Sequence, residues 1–152
     1  MSKFIVTKEL GRLARWLRIL GFDTVYYKGD NRGSLIIEAL REDRIIITRN
    51  KKKIDDLGKK TIVIDSSNLL EQLNELIKKV SVFLDRNKMF TRCVLCNTVL
   101  DEVRKDVVRD NVPEYVFKTH NTFMRCSNCK KIYWEGSHWG NINKVLDSLR
   151  KE

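Results

Sequence analysis

The chain has 152 residues, 42% of them hydrophobic and 33% charged, with a formal net charge of +10. That balance suffices for a packed core and excludes a disordered polyelectrolyte; no apolar run approaches the ~20 residues of a membrane-spanning helix, so no membrane partner is expected. A basic excess on so small a protein points to a polyanionic partner, nucleic acid first among them. The amino-terminal run Met1-Ser2-Lys3-Phe4-Ile5-Val6 is too short and too soon polar for a signal peptide, which favours a cytoplasmic protein.

Lys3–Val6 reads as a first strand, with Thr7 at its end. In the following run, Leu10, Leu13, Leu17 and Leu20 share one helical face, and Lys8, Arg12, Arg15 and Arg18 are expected on the other. Gly21 stops this helix. With no acid among residues 10–20, the arginine stripe suits a phosphate backbone, against the plainer reading of a solvated helix face. Asp23–Tyr27 is a second strand, Gly29–Asn31 a turn, and Ser34–Leu40 a helix burying Leu35, Ile36, Ala39 and Leu40. Arg44–Thr48 and Thr61–Ile64 are continuous apolar strands of the kind found inside parallel sheets. Between them lies the basic run Arg49-Asn50-Lys51-Lys52-Lys53. Ser67 or Asn68 caps a long helix with Leu69, Leu70, Leu73, Leu76, Ile77 and Val80 on its inner side. Strands alternating with helices give an α/β domain over residues 1–87, a parallel sheet flanked by helices.

Residues 88–152 form a second module. All four cysteines fall in two clips, Cys93-Val94-Leu95-Cys96 and Cys126-Ser127-Asn128-Cys129, separated by the 29 residues Asn97–Arg125. Two such clips supply the four soft thiolates of a closed tetrahedral structural Zn2+ site, as in a zinc ribbon. Disulfides are the weaker reading, because nothing marks the chain as secreted. Asn141–Leu149 reads as a short closing helix.

Ligands of an open parallel sheet gather at the carboxyl ends of its strands. Thr7, Asp30, Asn50 and Asp65 lie at or just beyond those ends. Carboxylates there would hold Mg2+ or Mn2+ for phosphodiester hydrolysis, but only two of the four positions are acidic. His120 and His138 have no visible acid partner, and Tyr133, Trp134 and Trp139 suit packing of the ribbon better than base stacking.

The runs Leu10–Arg18, Gly21–Thr24 and Ile47–Arg49, the two cysteine clips, and Tyr133–His138 together resemble the PIN-like ribonuclease family of the mut-seven C-terminal domain. The resemblance covers nearly the whole chain. It implies a PIN-like α/β fold carrying a zinc ribbon, with acids at the strand ends that bind divalent metal. At the positions of Thr7 and Asn50 the family usually has aspartate; Asp30 matches a family acid and Asp65 matches more loosely. Asn50 keeps the shape of aspartate without the charge a hard cation needs.

These observations lead to two expectations. The first is a non-catalytic protein with a degenerate metal site that binds structured RNA, ribosomal RNA being the obvious large target, through Arg12, Arg15, Arg18, Arg49, Lys51, Lys52 and Lys53. The second is an active ribonuclease using Mg2+ or Mn2+, with Asp30, Asp65 and a further acid such as Asp55 or Asp56 as catalytic carboxylates. Nothing in the sequence favours a DNA-binding or protein-interaction module.

Overall fold

In the computed structural model, which describes residues 2–51, 61–135 and 142–150, two apolar runs of the first half are the central strands of a parallel sheet. β1 (Phe4–Thr7) is buried along its whole length, and β3 (Ile45–Thr48) from Ile46 onward. β2 (Thr24–Tyr27) and β4 (Thr61–Val63) are the less buried edges, giving the order β2-β1-β3-β4. Ile5 is in register with Val25 on one side and Ile46 on the other, and Ile47 with Ile62. The chain leaves β1 for the neighbour on one side and returns on the other. The connections therefore diverge between β1 and β3, and that divergence opens a crevice at the carboxyl ends of the two strands.

Among the described residues, three helices cover this sheet. α2 (Arg32–Glu42) buries Leu35 and Ala39 against Ile5 and Ile46. α1 (Gly11–Ile19) packs on β1, β2 and α3 (Leu69–Val80). Strand alternation assigns Phe4, Val6 and Ile47 to the face opposite α2. Leu13 and Leu17 of α1 are buried, each worth about 1.5–3 kcal/mol. α1 ends at Gly21, whose φ of 97° only glycine adopts easily. Phe90 N–H then returns to the Ile19 carbonyl at 2.9 Å.

The helices depart from the sequence reading in detail. α2 starts two residues early because Asn31 Oδ1 accepts the Ser34 N–H at 2.9 Å, a local cap. Leu40, expected inside, is 71% exposed, and Leu70 of α3 is also exposed. α3 is capped by Asn68. At the amino ends of the strands, buried Arg44 bonds the carbonyls of Phe4 and Asp23 and pairs with Asp23 at 2.9 Å and Glu42 at 3.2 Å.

The chain divides into two units, Met1–Phe90 and Thr91–Glu152. The second holds a three-stranded antiparallel sheet of β5 (Asp101–Val103), β6 (Phe123–Arg125) and β7 (Ile132–Tyr133). A 3-10 segment (Lys105–Asn111) and α4 (Glu114–Thr119) bridge β5 to β6, closing over Val108, Val116 and Phe123. α5 (Ile142–Arg150) follows. Among the described residues no helix is long and apolar enough to cross a membrane.

Candidate functional site at the strand ends, and a four-cysteine centre

The crevice between β1 and β3 is organised around a side chain that the sequence reading did not single out, Glu9. The chain turns sharply after β1 through a 3-10 turn, Lys8–Leu10, which carries Glu9 back over the strand ends. Its Oε1 accepts the Thr7 hydroxyl at 2.7 Å, the Thr48 hydroxyl at 3.0 Å and the Arg49 N–H at 3.1 Å. Burial alone would push the Glu9 carboxyl up, but these donors outweigh it and hold the group below the usual carboxylate range. One signal was available: Glu9 is the only acid in the first 22 residues, two positions beyond a strand-end threonine.

The remaining strand-end acids each meet a cation. Asp30, after β2, pairs with Lys8, and this contact holds the Lys8 ammonium above the usual lysine range. Asp65, after β4, pairs with Lys51 at 3.1 Å. Glu75 of α3 fixes the Asp65 backbone, accepting the N–H groups of Asp65 and Ser66 at 3.0–3.1 Å, the Ser66 hydroxyl at 2.8 Å and Lys79 at 2.7 Å. Asn50 N–H donates to the Thr48 hydroxyl oxygen at 3.1 Å. Thr7, Lys8, Glu9, Asp30 and Arg32 line one small cleft of about 40 Å³.

Thr7, Asp30, Asn50 and Asp65 lie at or just past the carboxyl ends of β1, β2, β3 and β4, and the basic residues named with them need one correction. Arg12 and Arg15 are exposed near the start of α1, and Arg49 and Lys51 are exposed after β3. Arg18 is not on that surface. It is 8% exposed, and its Nε donates to the Thr24 carbonyl at 2.9 Å. Each i+3 step lags a full turn by about 60°, so two steps from Arg12 carry Arg18 about 120° round the helix, towards β2. Lys52, Lys53, Asp55, Asp56, His138 and Trp139 lie outside the described residues.

The four cysteines converge in the second unit. The Sγ atoms of Cys93, Cys96, Cys126 and Cys129 lie within 4.8 Å of one another. Cys93 and Cys129 are 3.7 Å apart, against about 3.8 Å for two sulfurs of a tetrahedral zinc with bonds of about 2.3 Å. Each clip closes in the same way. Asn97 N–H bonds the Cys93 carbonyl at 2.8 Å, and Lys130 N–H bonds that of Cys126 at 2.9 Å. Asn97 and Lys130 take left-handed φ values of 67° and 68° to do so. Asn128 donates to Cys96 Sγ at 3.2 Å. The Tyr133 hydroxyl lies 3.2 Å from Cys93 Sγ and accepts the Val94 N–H at 3.1 Å. These donors suit thiolates holding a metal ion such as zinc. Among the described residues, this is the one group of three or more metal-capable side chains close enough to share an ion. The strand-end acids do not converge in this way.

Among the described residues, the aromatic and histidine candidates of the second unit, Tyr133, Trp134 and His120, are taken up by packing or hydrogen bonds within that unit. Tyr133 is fully buried beside the cysteines, and Trp134 packs on the Val108, Val116 and Phe123 core. His120 Nε2 lies 2.9 Å from the Glu135 carbonyl and Nδ1 2.9 Å from the Thr119 hydroxyl, so the ring ties α4 to the end of β7.

A comparison with curated proteins finds no match. The order of features along the chain does have a counterpart among known families: a parallel sheet with polar strand ends, then paired cysteine clips. Residues 2–146 match the model of the Mut7-C RNAse domain, and the chain belongs to that ribonuclease-like family.

Proposed function

We propose that this chain is an RNA-binding protein built on a PIN-like ribonuclease fold, with a degenerate catalytic site and a structural Zn2+ in the cysteine centre. One observation carries the reading: every described strand-end acid is already engaged. Asp30 is held by Lys8, Asp65 by Lys51, and Glu9 by two hydroxyls and an N–H. A divalent cation needs several free carboxylate oxygens converging on one point. Here ammonium, hydroxyl and N–H donors occupy the carboxylate oxygens that a Mg2+ or Mn2+ ion would need. The exposed Arg12, Arg15, Arg49 and Lys51 suit a phosphate backbone. Structured RNA, ribosomal RNA included, is the partner class this charge supports.

A second reading, an active metal-dependent ribonuclease, draws on Glu9, which returns one carboxylate to the strand ends where Thr7 and Asn50 are neutral. The two readings separate in a cleavage assay on single-stranded and structured RNA with Mg2+ or Mn2+, run beside the Thr7→Asp/Asn50→Asp double variant. Binding without cleavage by the wild type is the expected result. Enzyme-like turnover that Asp30→Ala or Glu9→Ala abolishes would establish the nuclease instead.

A further inference from the structure

The donors around Glu9 form a site of their own. Thr7 and Thr48 are 6% and 1% exposed, yet both hydroxyls aim at one point above the switch between β1 and β3. The Arg49 N–H aims at the same point. The Ile47 carbonyl, 3.3 Å from the Thr7 hydroxyl, is a longer alternative acceptor for its proton, and the Thr48 oxygen accepts Asn50 N–H, which leaves its own proton to donate into the cup. Two O–H donors and one N–H converging on a single oxygen, with Lys8, Arg49 and Lys51 exposed around it, make a cradle for a negatively charged oxygen. A metal site would present acceptors there.

The present occupant is an oxygen of the chain itself. Glu9 reaches the cup from an exposed position on a short turn, whereas the donors stand on buried strand ends and the main chain of Arg49. The donors belong to the strand ends and the main chain, so rotation of the Glu9 side chain alone would vacate the cup. A phosphate oxygen carries similar charge and accepts hydrogen bonds in the same way.

We propose that this cup is a phosphate-oxygen site, closed in the free protein by the Glu9 carboxylate and opened when a phosphodiester of bound RNA displaces it. The proposal rests on the RNA-binding reading for its natural ligand, but the cup can be tested with inorganic phosphate alone. Glu9→Ala empties it and removes the competing charge. Phosphate affinity should then rise roughly tenfold at fixed ionic strength, with the Arg49 amide NMR signal shifting to saturation. Adding Thr48→Val should cancel the gain. Glu9→Gln keeps the side-chain shape and guards against a folding defect; it should give an intermediate gain. Glu71→Ala removes one acid from exposed α3 surface and should change little. The proposal is overturned if folded Glu9→Ala or Glu9→Gln binds phosphate no better than wild type, or if Glu71→Ala gains as much. A short RNA separates the two ideas. A phosphate gain without any RNA binding keeps the cup and removes the RNA reading. RNA binding by wild type, with phosphate and RNA affinities unmoved in Glu9→Ala, removes the cup and keeps that reading.

Discussion

The carboxylate of Glu75 receives the backbone N–H of Asp65 on both of its oxygens, at 3.1 Å to Oε1 and 3.0 Å to Oε2. One side chain of α3 thus sets the course of the chain as it leaves β4, and with it the position of the Asp65–Lys51 pair. Burial would raise the Glu75 pKa, but Lys79 and the donors of Asp65 and Ser66 hold it down to about 2.

A pH dependence follows. The folded-state pKa lies below the ordinary value of 4.5, so this stabilisation is fully present above pH 4.5 and is lost as pH falls towards about 2. Glu75→Gln should lower stability at neutral pH by about 1–3 kcal/mol, the scale of a lost charge-assisted network. The gap between variant and wild type should close between those two pH values. Urea titrations at several pH values would test this; a gap that stays constant down to pH 2.5 would mean that Glu75 acts by packing.

Gly21→Ala tests the end of α1. An added Cβ would lie 2.2 Å from the Lys88 carbonyl oxygen, and the φ of 97° is strained for any side chain. Backbone on both sides leaves nothing flexible to yield, so a loss of about 2 kcal/mol or more is expected. Thermal unfolding within a degree or two of wild type would show that the Arg86–Phe90 segment moves aside at little cost.

These two sites show what the sequence could and could not disclose. Gly21 was legible as a helix stop because the apolar period ends there. The inner strands were legible because β1 and β3 are buried on both faces and need continuous apolar runs. The cysteine clips were legible because metal geometry fixes ligand spacing. Glu9 was not, because its role depends on a hydroxyl 39 residues away, on Thr48. Arg18 was misplaced because a stripe drawn in steps of three drifts round a helix. Leu40 looked internal by composition, but α2 meets the sheet through Leu35 and Ala39.

Metal removal should act on the second unit. Purified protein should carry about one zinc per chain, and Cys96→Ser or a strong chelator should unfold the region around the two clips, since such sites supply folding energy directly. Amide signals of β1 and β3 should survive, because their hydrogen bonds lie within the first unit. Metal content well below one per chain, with the clips still ordered, would contradict a structural zinc.

The strongest test of the RNA reading is its salt dependence. α1 departs from the carboxyl end of β1, and the Arg49–Lys51 segment departs from the carboxyl end of β3, its neighbour in the sheet. Arg12 and Arg15 on the one and Arg49 and Lys51 on the other therefore flank the same crevice. A strand of RNA crossing that end would release counterions at each phosphate contact, and log affinity should fall with log salt by about 0.7 per contact. Replacing Arg12 and Arg15 by Ala should weaken binding and flatten the slope by roughly one to two contacts, as should replacing Arg49 and Lys51. Arg18→Ala does not belong in this series, because its guanidinium is buried and the substitution should cost stability instead. Lys79 is likewise unsuitable as a control, since it holds Glu75. Arg41 and Lys78 serve better: both are exposed, in the last turns of α2 and α3, and neither belongs to the segments that leave β1 and β3. Their loss should leave the slope unchanged. Equal flattening by all three pairs would mean diffuse attraction to a basic protein, and the crevice would then have no claim to be the RNA path.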